Sequence, residues 1–328
     1  MIKSNRNWRS LSLTLSLLMA MVMVPVAALA QAYPSRPITL VCPFPPGGSA
    51  DIMARLVAQK LSEAMGVAVI VENKAGGGGG IGSAYAAKAK PDGYTLLEVT
   101  GGYPALAALS TKLQFDAMRD IRMVSLVTSY PFFVNVGADS PFRSVADLVA
   151  FARANPGKLN YTTSGVGSIH HLSSELFNAM AGTEIVHIPT RGGSGGLTEL
   201  LGGRIDVLFE APTLSLPYIR SGKLRALAVT SEKRWRALPD VPVMADTLPG
   251  YEVSSFIGIG APAGTPEPII AQLNRELRKI VDSPEVANRL IELGGEPRSS
   301  APEEMQRYVE QEFRKWQKLI ELRKIERQ

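Results

Sequence analysis

The sequence predicts an α/β protein of two lobes that close on a cleft. Two stretches carry this prediction, since each has the pattern of a strand, a glycine-rich turn and the start of a helix. The first covers residues 38–56 and the second covers residues 159–177. Several further strand and helix patterns separate the two turns, so we expect one turn in each lobe. Two such turns facing each other indicate a clamshell around a small ligand.

In the first stretch, the apolar run Ile38–Cys42 predicts a buried strand, which the following prolines and glycines stop. Ser49 is the predicted N-cap of the next helix, Asp51 lies in its first turn, and Gly66 ends it. Such a turn directs unpaired backbone N–H groups at one point, and its glycines let a ligand approach. An anion could be held there without a cationic side chain. An ordinary βα loop is the alternative that this segment leaves open.

The second stretch repeats the pattern. Residues 159–163 predict a strand, and residues 164–168 predict a turn of glycines and hydroxyl residues. Ser168 is the predicted N-cap of a helix, and four apolar side chains share one face of that helix: Leu172, Leu176, Phe177 and Met180.

The start of the chain predicts export. Lys3, Arg6 and Arg9 precede an apolar run, and small residues allow cleavage of a signal peptide after Ala30. An uncleaved membrane anchor is the weaker alternative. Removing these three basic residues lowers the formal net charge from +5 to +2, and the remaining charges are mixed in sign, so no nucleic-acid partner is expected. The only cysteine, Cys42, excludes an intrachain disulfide and is expected to be a buried, inert thiol.

The remaining patterns assign the lobes. Strands are predicted at 67–72 (buried), 94–99, 132–136, 204–209 and 253–259, and amphipathic helices at 266–281, 284–293 and 302–324. The last helix carries an apolar stripe that predicts docking on the first lobe: Met305, Val309, Phe313, Trp316 and Ile320. The predicted first lobe is 31–134 with 252–328, and the predicted second lobe is 135–251.

Two glycine patterns suggest enzymes but are weak. Gly77, Gly79 and Gly82 fit the dinucleotide fingerprint, yet a run of glycines matches it by default, and a flexible or close-packed loop is the simpler interpretation. Ser194 lies in a G-x-S-x-G sequence. A hydrolase of that type needs its histidine after the serine, whereas all three histidines precede Ser194.

One histidine spacing suggests a metal. His171 and Glu175 are four residues apart on a predicted helix, but no third ligand is evident. A histidine that forms local hydrogen bonds in the first helical turn is the favoured interpretation.

Seven motifs in this order resemble the extracytoplasmic substrate-binding proteins of tripartite tricarboxylate transporters, the Bug family. The resemblance covers essentially the whole chain after the leader. It rests on YPSRPI at 33–38, PPGGSAD at 45–51, VENK at 71–74, PDGYTL at 91–96, GVGS at 165–168 with the following His171-Leu172, LGGRIDV at 201–207 and GKLRALAVT at 222–230.

The resemblance implies a type II-like periplasmic-binding fold, with an α/β sheet in each lobe and two hinge crossings. It implies a small carboxylate ligand, held by backbone amides and hydroxyls of the two turns, with no cofactor, bound metal or catalysis. It also implies a periplasmic monomer that contacts membrane transporter subunits transiently. The residues that it assigns to the ligand are Phe44, Gly47, Gly48, Ser49 and Asp51 in the first lobe and Ser164, Gly165, Gly167, Ser168 and His171 in the second, with Thr100, Gly101, Arg191 and Glu210 as further candidates.

Two other functions stay open at this stage. An exported hydrolase could use Ser168, Ser194 or Asp51, and Ser168 is the strongest of these because His171 lies one helical turn away. A receptor that signals to a membrane kinase would have the same cleft as a transport receptor.

Overall fold

The computed structural model describes residues 33–188, 190 and 194–327. The predicted signal peptide and Arg191 therefore lie outside the described residues. The chain divides into the units 1–35 and 36–328. In the first unit the peptide bond between Tyr33 and Pro34 is cis. All elements below belong to the second unit, and none of the helices in the described ranges is long and apolar enough to cross a bilayer.

The strands and helices alternate for most of the chain. The strands are β1 (Ile38–Cys42), β2 (Val69–Asn73), β3 (Thr95–Thr100), β4 (Ile121–Pro131), β5 (Phe133–Gly137), β6 (Asn160–Tyr161), β7 (Val186–His187), β8 (Leu208–Glu210), β9 (Leu224–Val229), β10 (Ser254–Pro262) and β11 (Glu296–Pro297). The α-helices are α1 (Ser49–Met65), α2 (Gly80–Ala87), α3 (Gly102–Leu109), α4 (Val145–Ala154), α5 (Ile169–Ala181), α6 (Gly195–Leu201), α7 (Pro212–Arg220), α8 (Glu267–Asp282), α9 (Pro284–Glu292) and α10 (Pro302–Arg323). Short 3₁₀ turns occupy Gly77–Gly79 and Met244–Asp246.

The strands form separate sheets that define two lobes. The first lobe contains a sheet of order β11-β4-β10-β3-β1-β2, in which β1 is parallel to β2 and β3, and β10 is antiparallel to β3 and β4. The second lobe contains an antiparallel sheet of order β8-β5-β9 and the parallel pair β6-β7. The predicted α/β class with two lobes is confirmed.

Two chain segments cross between the lobes, one between β4 and β5 and the other between β9 and β10. Thr230 joins these two crossings. The Thr230 hydroxyl accepts a hydrogen bond from the Phe132 N–H (2.8 Å) and donates one to the Val253 carbonyl (2.7 Å). The Thr230 backbone bonds the same two residues again, with N–H to the Phe132 carbonyl and carbonyl to the Val253 N–H. Because Thr230 is fully buried, these bonds hold the crossings side by side.

The last helix docks on the first lobe, as its apolar stripe predicts. Met305 and Val309 are buried in a core cluster with residues of β3, β4 and β10, and Trp316 and Ile320 are also buried. Gly258 allows this approach, because a Cβ there would lie 2.4 Å from the Met305 terminal methyl.

Three strand predictions need correction. The strand predicted at 159–163 is limited to the two residues of β6, Asn160–Tyr161. The second strand was predicted to be buried, but β2 is the edge of its sheet and leaves Ile70 54% exposed. Its apolar sequence is that of a central strand, and only the sheet order reveals the edge. The strand predicted at 204–209 is limited to Leu208–Glu210. The residues before it form hydrogen bonds with Asn160 instead, and one of these runs from the Asn160 N–H to the Asp206 carboxylate (2.8 Å).

Candidate functional site

The turn between β1 and α1 is braced by Asp51. Its carboxylate accepts hydrogen bonds from the Gly47 N–H (3.0 Å), the Arg55 Nε–H (2.9 Å) and the Asn73 amide (2.8 Å). The Asn73 amide also donates to the Phe44 carbonyl (3.0 Å). Burial alone would raise the pKa of Asp51, but these hydrogen bonds outweigh it and hold the pKa below its usual value. Asp51 therefore positions the turn and engages the Gly47 N–H itself.

Ser49 is the first residue of α1 and not its N-cap, so that prediction was wrong. The N-cap is Gly48, which has extended backbone and no side chain to form a cap. The Ser49 hydroxyl instead donates to the Glu210 carboxylate (3.3 Å), at the end of β8 in the second lobe. The side chain thus bonds an acceptor on the far side of the cleft in place of its own helix.

The turn before α5 is braced by neutral groups. The Ser168 hydroxyl accepts the His171 N–H (3.3 Å), which confirms the predicted N-cap. The Thr163 hydroxyl accepts the Gly165 N–H (3.2 Å) and lies 2.9 Å from Nε2 of His187. Gly165 has a φ of 122°, a conformation that other residues rarely adopt.

Two imidazoles lie behind this second turn. The rings of His171 and His187 are 4.9 Å apart, and Tyr161 stacks on His187 at 5.0 Å. Burial lowers the pKa of both histidines. The Tyr161 hydroxyl donates to Glu175, the possible metal-ligand partner of His171 in the sequence. In the described part of the chain, no group of three or more His, Cys, Asp or Glu side chains is arranged to bind a metal.

The glycine run links the two lobes. Gly78 has a φ of 62°, and a Cβ there would lie 2.6 Å from the Val166 carbonyl oxygen and 2.9 Å from the Ser168 nitrogen. Gly82 serves the close packing inside the first lobe, since a Cβ there would lie 2.8 Å from the Pro43 Cα. Gly78 therefore lets the backbones of the two lobes approach each other, and Gly82 lets two backbone segments of the first lobe do the same.

A cleft that is partly open to solvent lies between the two turns. Six residues proposed from the sequence line it: Phe44, Gly48, Ser49, Thr100, Ser164 and Glu210. Nine residues that the sequence did not suggest complete the lining: Ala50, Tyr130, Thr163, Ile169, His170, Gly196, Leu208, Ala211 and Ser255. Among the described lining residues, none is a lysine or an arginine.

The other described candidates lie outside the lining, namely Gly47, Asp51, Gly101, Gly165, Gly167, Ser168 and His171. Gly101 has a packing role, because a Cβ there would lie 2.7 Å from the Ser255 hydroxyl oxygen. His170 was the omission with the clearest signal, since it directly precedes the candidate His171. Tyr130 and Ser255 belong to β4 and β10 near the crossings, and only the fold brings these strands to the cleft.

Two α/β lobes that meet over a cleft lined from both sides define the class of periplasmic solute-binding proteins. Solved structures support this class. A periplasmic binding protein, BugD, superposes with a TM-score of 0.86 at 32% identity, covering 90% of this chain and all of BugD.

The chain belongs to the tripartite tricarboxylate transporter family of receptors, whose family model matches residues 53–325. It is 41% identical over 291 residues to a UPF0065 protein from the tcbD-tcbE intergenic region of a Pseudomonas species, with 88% of this chain and 87% of the relative covered. It is therefore an extracytoplasmic solute receptor of that family.

Two further structures are of proteins with bound acids. Rpa4515 of R. palustris with adipate has a TM-score of 0.85 and 38% identity, covering 89% of this chain and 98% of Rpa4515. MatC from Rhodopseudomonas palustris with malate has a TM-score of 0.83 and 30% identity, covering 88% of this chain and all of MatC.

Proposed function

We propose that this receptor binds a small organic carboxylate in the cleft between its lobes and delivers it to a membrane transporter. The observation that carries the proposal is that residues of both turns, Gly48, Ser49 and Ser164, line one cavity. The adipate and malate bound by similar proteins support the same ligand class. Backbone amides and hydroxyls supply neutral hydrogen-bond donors, which suit a carboxylate without requiring a fixed positive charge.

The lobes close on the ligand about the crossings joined by Thr230. We place the boundaries at 31–134 with 252–328 for the first lobe and at 135–251 for the second. In this proposal, the hydrogen bond between Ser49 and Glu210 and the close approach of Gly78 to Val166 form as the lobes close. A ligand that contacts both turns would favour this arrangement over an open one.

The protein performs no chemistry on its ligand in this proposal. Ser168 is fully buried, caps α5 and does not line the cleft, and Asp51 is engaged in bracing its turn. The leader directs the chain to the periplasm and is cleaved after Ala30. There the receptor acts as a monomer and meets its membrane partner transiently.

Isothermal titration tests the ligand class. The protein is expressed from the full sequence, recovered from the periplasm and titrated with succinate, malate, adipate, citrate and benzoate, with maltose and calcium as comparisons. We expect at least one acid to bind and to raise the melting temperature further as its concentration increases. Binding of maltose or calcium with no response to any acid would refute the proposal.

Gly48→Val tests the position of the ligand. The larger side chain would project from a residue that lines the cleft, so we expect binding of the acid to be lost while the protein remains folded. Unchanged affinity in this variant would place the ligand elsewhere. The same samples, incubated with esters of the bound acid, should release no product.

A further inference from the structure

Among the described lining residues, the ionisable side chains other than Tyr130 are His170 and Glu210, and both lie in one corner of the cleft. We call this the polar corner and define it as Ser49, Ser164, His170 and Glu210, all of which line the cleft. The rest of the described lining combines apolar residues and glycines with the hydroxyl side chains of Thr100, Tyr130, Thr163 and Ser255. Among the described lining residues, a carboxylate and an imidazole are therefore presented to the ligand only at the polar corner.

Glu210 presents an acceptor to this corner. It is 6% exposed, and its Oε1 accepts hydrogen bonds from the Ala211 N–H (2.8 Å) and the Ser49 hydroxyl (3.3 Å). A carboxylate has about four acceptor positions, so these two bonds leave capacity for a donor from the ligand. Ala211 and Ser49 also fix where the carboxylate lies.

His170 presents a second polar atom beside it. The His170 Nδ1 lies 3.0 Å from the Ser164 hydroxyl, and its ring packs against Phe132 at 4.8 Å. The Nε2 atom lies 3.8 Å from Oε1 of Glu210, too far for a good hydrogen bond. This Nε2 is buried and has no hydrogen-bond partner within residues 33–188, 190 and 194–327. Buried polar atoms of this kind are nearly always satisfied, and a ligand is one way to satisfy it.

The charge of Glu210 restricts what can lie here. No lysine or arginine is among the described lining residues, so, as far as these residues go, a ligand carboxylate placed at the polar corner would face Glu210 without a counter-charge. Like charges in contact are strongly unfavourable in a water-poor site. A hydroxyl or amino group fits instead, since it donates to the Glu210 carboxylate, and a hydroxyl also accepts from an Nε2–H of His170.

We propose that the polar corner selects organic acids that carry a hydrogen-bond-donating substituent, a hydroxyl or an amino group, over unsubstituted diacids. This inference rests on the proposed function and adds the ligand subclass. The carboxylate of the ligand lies toward the glycine turns, and the substituent lies between Glu210 and His170.

Matched ligands test this selection on the wild-type protein. Titrations at pH 7.5 compare succinate with malate and aspartate, and adipate with 2-hydroxyadipate and 2-aminoadipate. We expect the substituted acid of at least one set to bind about tenfold tighter or more, the size expected for one hydrogen bond to a charged acceptor. Unsubstituted acids that bind as tightly as their substituted partners would overturn the inference and leave the proposed function standing. No binding of any acid would overturn both.

Glu210→Gln identifies the group responsible. The amide keeps the size of the side chain and removes its charge, so the preference for substituted acids should fall to within about threefold, and unsubstituted diacids should bind more tightly than they do to wild type. Glu184→Gln, on an exposed loop of the second lobe, is the control and should keep the wild-type preference. Preference that persists in Glu210→Gln, with an unchanged near-UV circular dichroism spectrum, would also overturn the inference.

Discussion

The two turns that face the cleft rest on opposite kinds of ionisable group. Beneath the first turn, near Cys42 and Asp51, lies Glu98 of β3, which is 1% exposed and whose pKa burial raises to about 8. Behind the second turn lie His171 and His187, whose pKa values burial lowers. An acid with a raised pKa and bases with lowered pKa values are all favoured in their uncharged forms inside the protein. Asp51, which braces the first turn, has a lowered pKa, but Glu98 and the two histidines resist charging, and opposite changes of pH charge them.

Of the variants that test this comparison, Glu98→Gln should cause the largest change, which is in the pH dependence of the free energy of unfolding. The unfolded chain ionises Glu98 near the ordinary value of 4.5 and the folded chain near 8, so wild-type stability is complete below pH 4.5 and is lost as pH rises toward 8. Relative to Glu98→Gln, the wild type should lose about 4 kcal/mol over this interval. Urea unfolding at pH 5 and pH 8 measures the difference.

The neighbours of Glu98 set the control for that experiment. The groups that face it are Cys42, whose pKa burial also raises, the Asp51 carboxylate, and the buried Tyr130. Glu72→Gln changes a half-exposed carboxylate on β2 of the same sheet and should retain the wild-type pH dependence. Equal pH dependence in Glu98→Gln and wild type would show that Glu98 is not the group that titrates.

Gly78→Ala should break the contact between the two regions. Gly78 and Gly77 both have positive φ, 62° and 56°, so alanine is strained at either position by about 1 to 2 kcal/mol. Only at Gly78 does the new methyl meet the second lobe, 2.6 Å from the Val166 carbonyl oxygen, whereas the space around Gly77 is open. We expect Gly78→Ala to bind the ligand at least about tenfold more weakly, since overpacking costs ~1–3 kcal/mol.

Gly77→Ala is the matched control for Gly78→Ala. It should lose a similar amount of thermal stability and keep the wild-type affinity, because its methyl has no neighbour within 4 Å. Titration calorimetry and melting curves on both variants separate the two effects. Equal affinities in the two variants would mean that closure does not require the backbones to meet at Gly78.

His187→Phe tests how the groups behind the second turn respond to a fall in pH. The pKa of folded His187 is lowered by burial and then by His171, while Glu175 opposes this shift, so stability is complete above the ordinary value of 6.5 and is lost as pH falls below it. Phenylalanine keeps a ring against Tyr161 but cannot titrate. The variant should be less stable than wild type at pH 7.5, through loss of the Thr163 contact, and should show a shallower decline in melting temperature from pH 7 to pH 5. An equally steep decline would assign the acid sensitivity to other groups.

Local patterns in the sequence were sufficient for much of the fold. The apolar run and glycines around β1 and α1 gave the strand, the helix and its end at Gly66, where the αL backbone donates its N–H to the Ser62 carbonyl. The stripe from Met305 to Ile320 gave the docking of α10, because burial of a helix face depends mainly on its own periodicity. These features need no knowledge of distant residues.

The remaining features depend on contacts between distant residues. Ser49 looked like a cap because hydroxyl residues usually cap helices, but its acceptor, Glu210, is 161 positions away. Glu98 looked like an ordinary strand residue, and its burial follows from the position of β3 between β1 and β10. The candidates at the turns came from the glycines and hydroxyls together with the family resemblance, whereas Tyr130 and Ser255 were missed because only the fold brings their strands to the cleft.

Ser168→Ala should have the smallest effect and bears directly on the hydrolase alternative. Its hydroxyl accepts the His171 N–H, so alanine should lower stability by about 1 kcal/mol, as expected for loss of an N-cap. Ser144→Ala is the matched control, because Ser144 caps α4 by accepting the Asp147 N–H (3.1 Å), outside the cleft lining. If Ser168 is only a cap, the two variants lose similar stability and both retain ligand affinity. A selective loss of affinity in Ser168→Ala would instead make its hydroxyl a ligand contact, and loss of ester turnover with binding intact would make it a nucleophile. The cleft lining contains Ser164 and His170 but not Ser168, so we expect the two variants to lose similar stability and to retain ligand affinity.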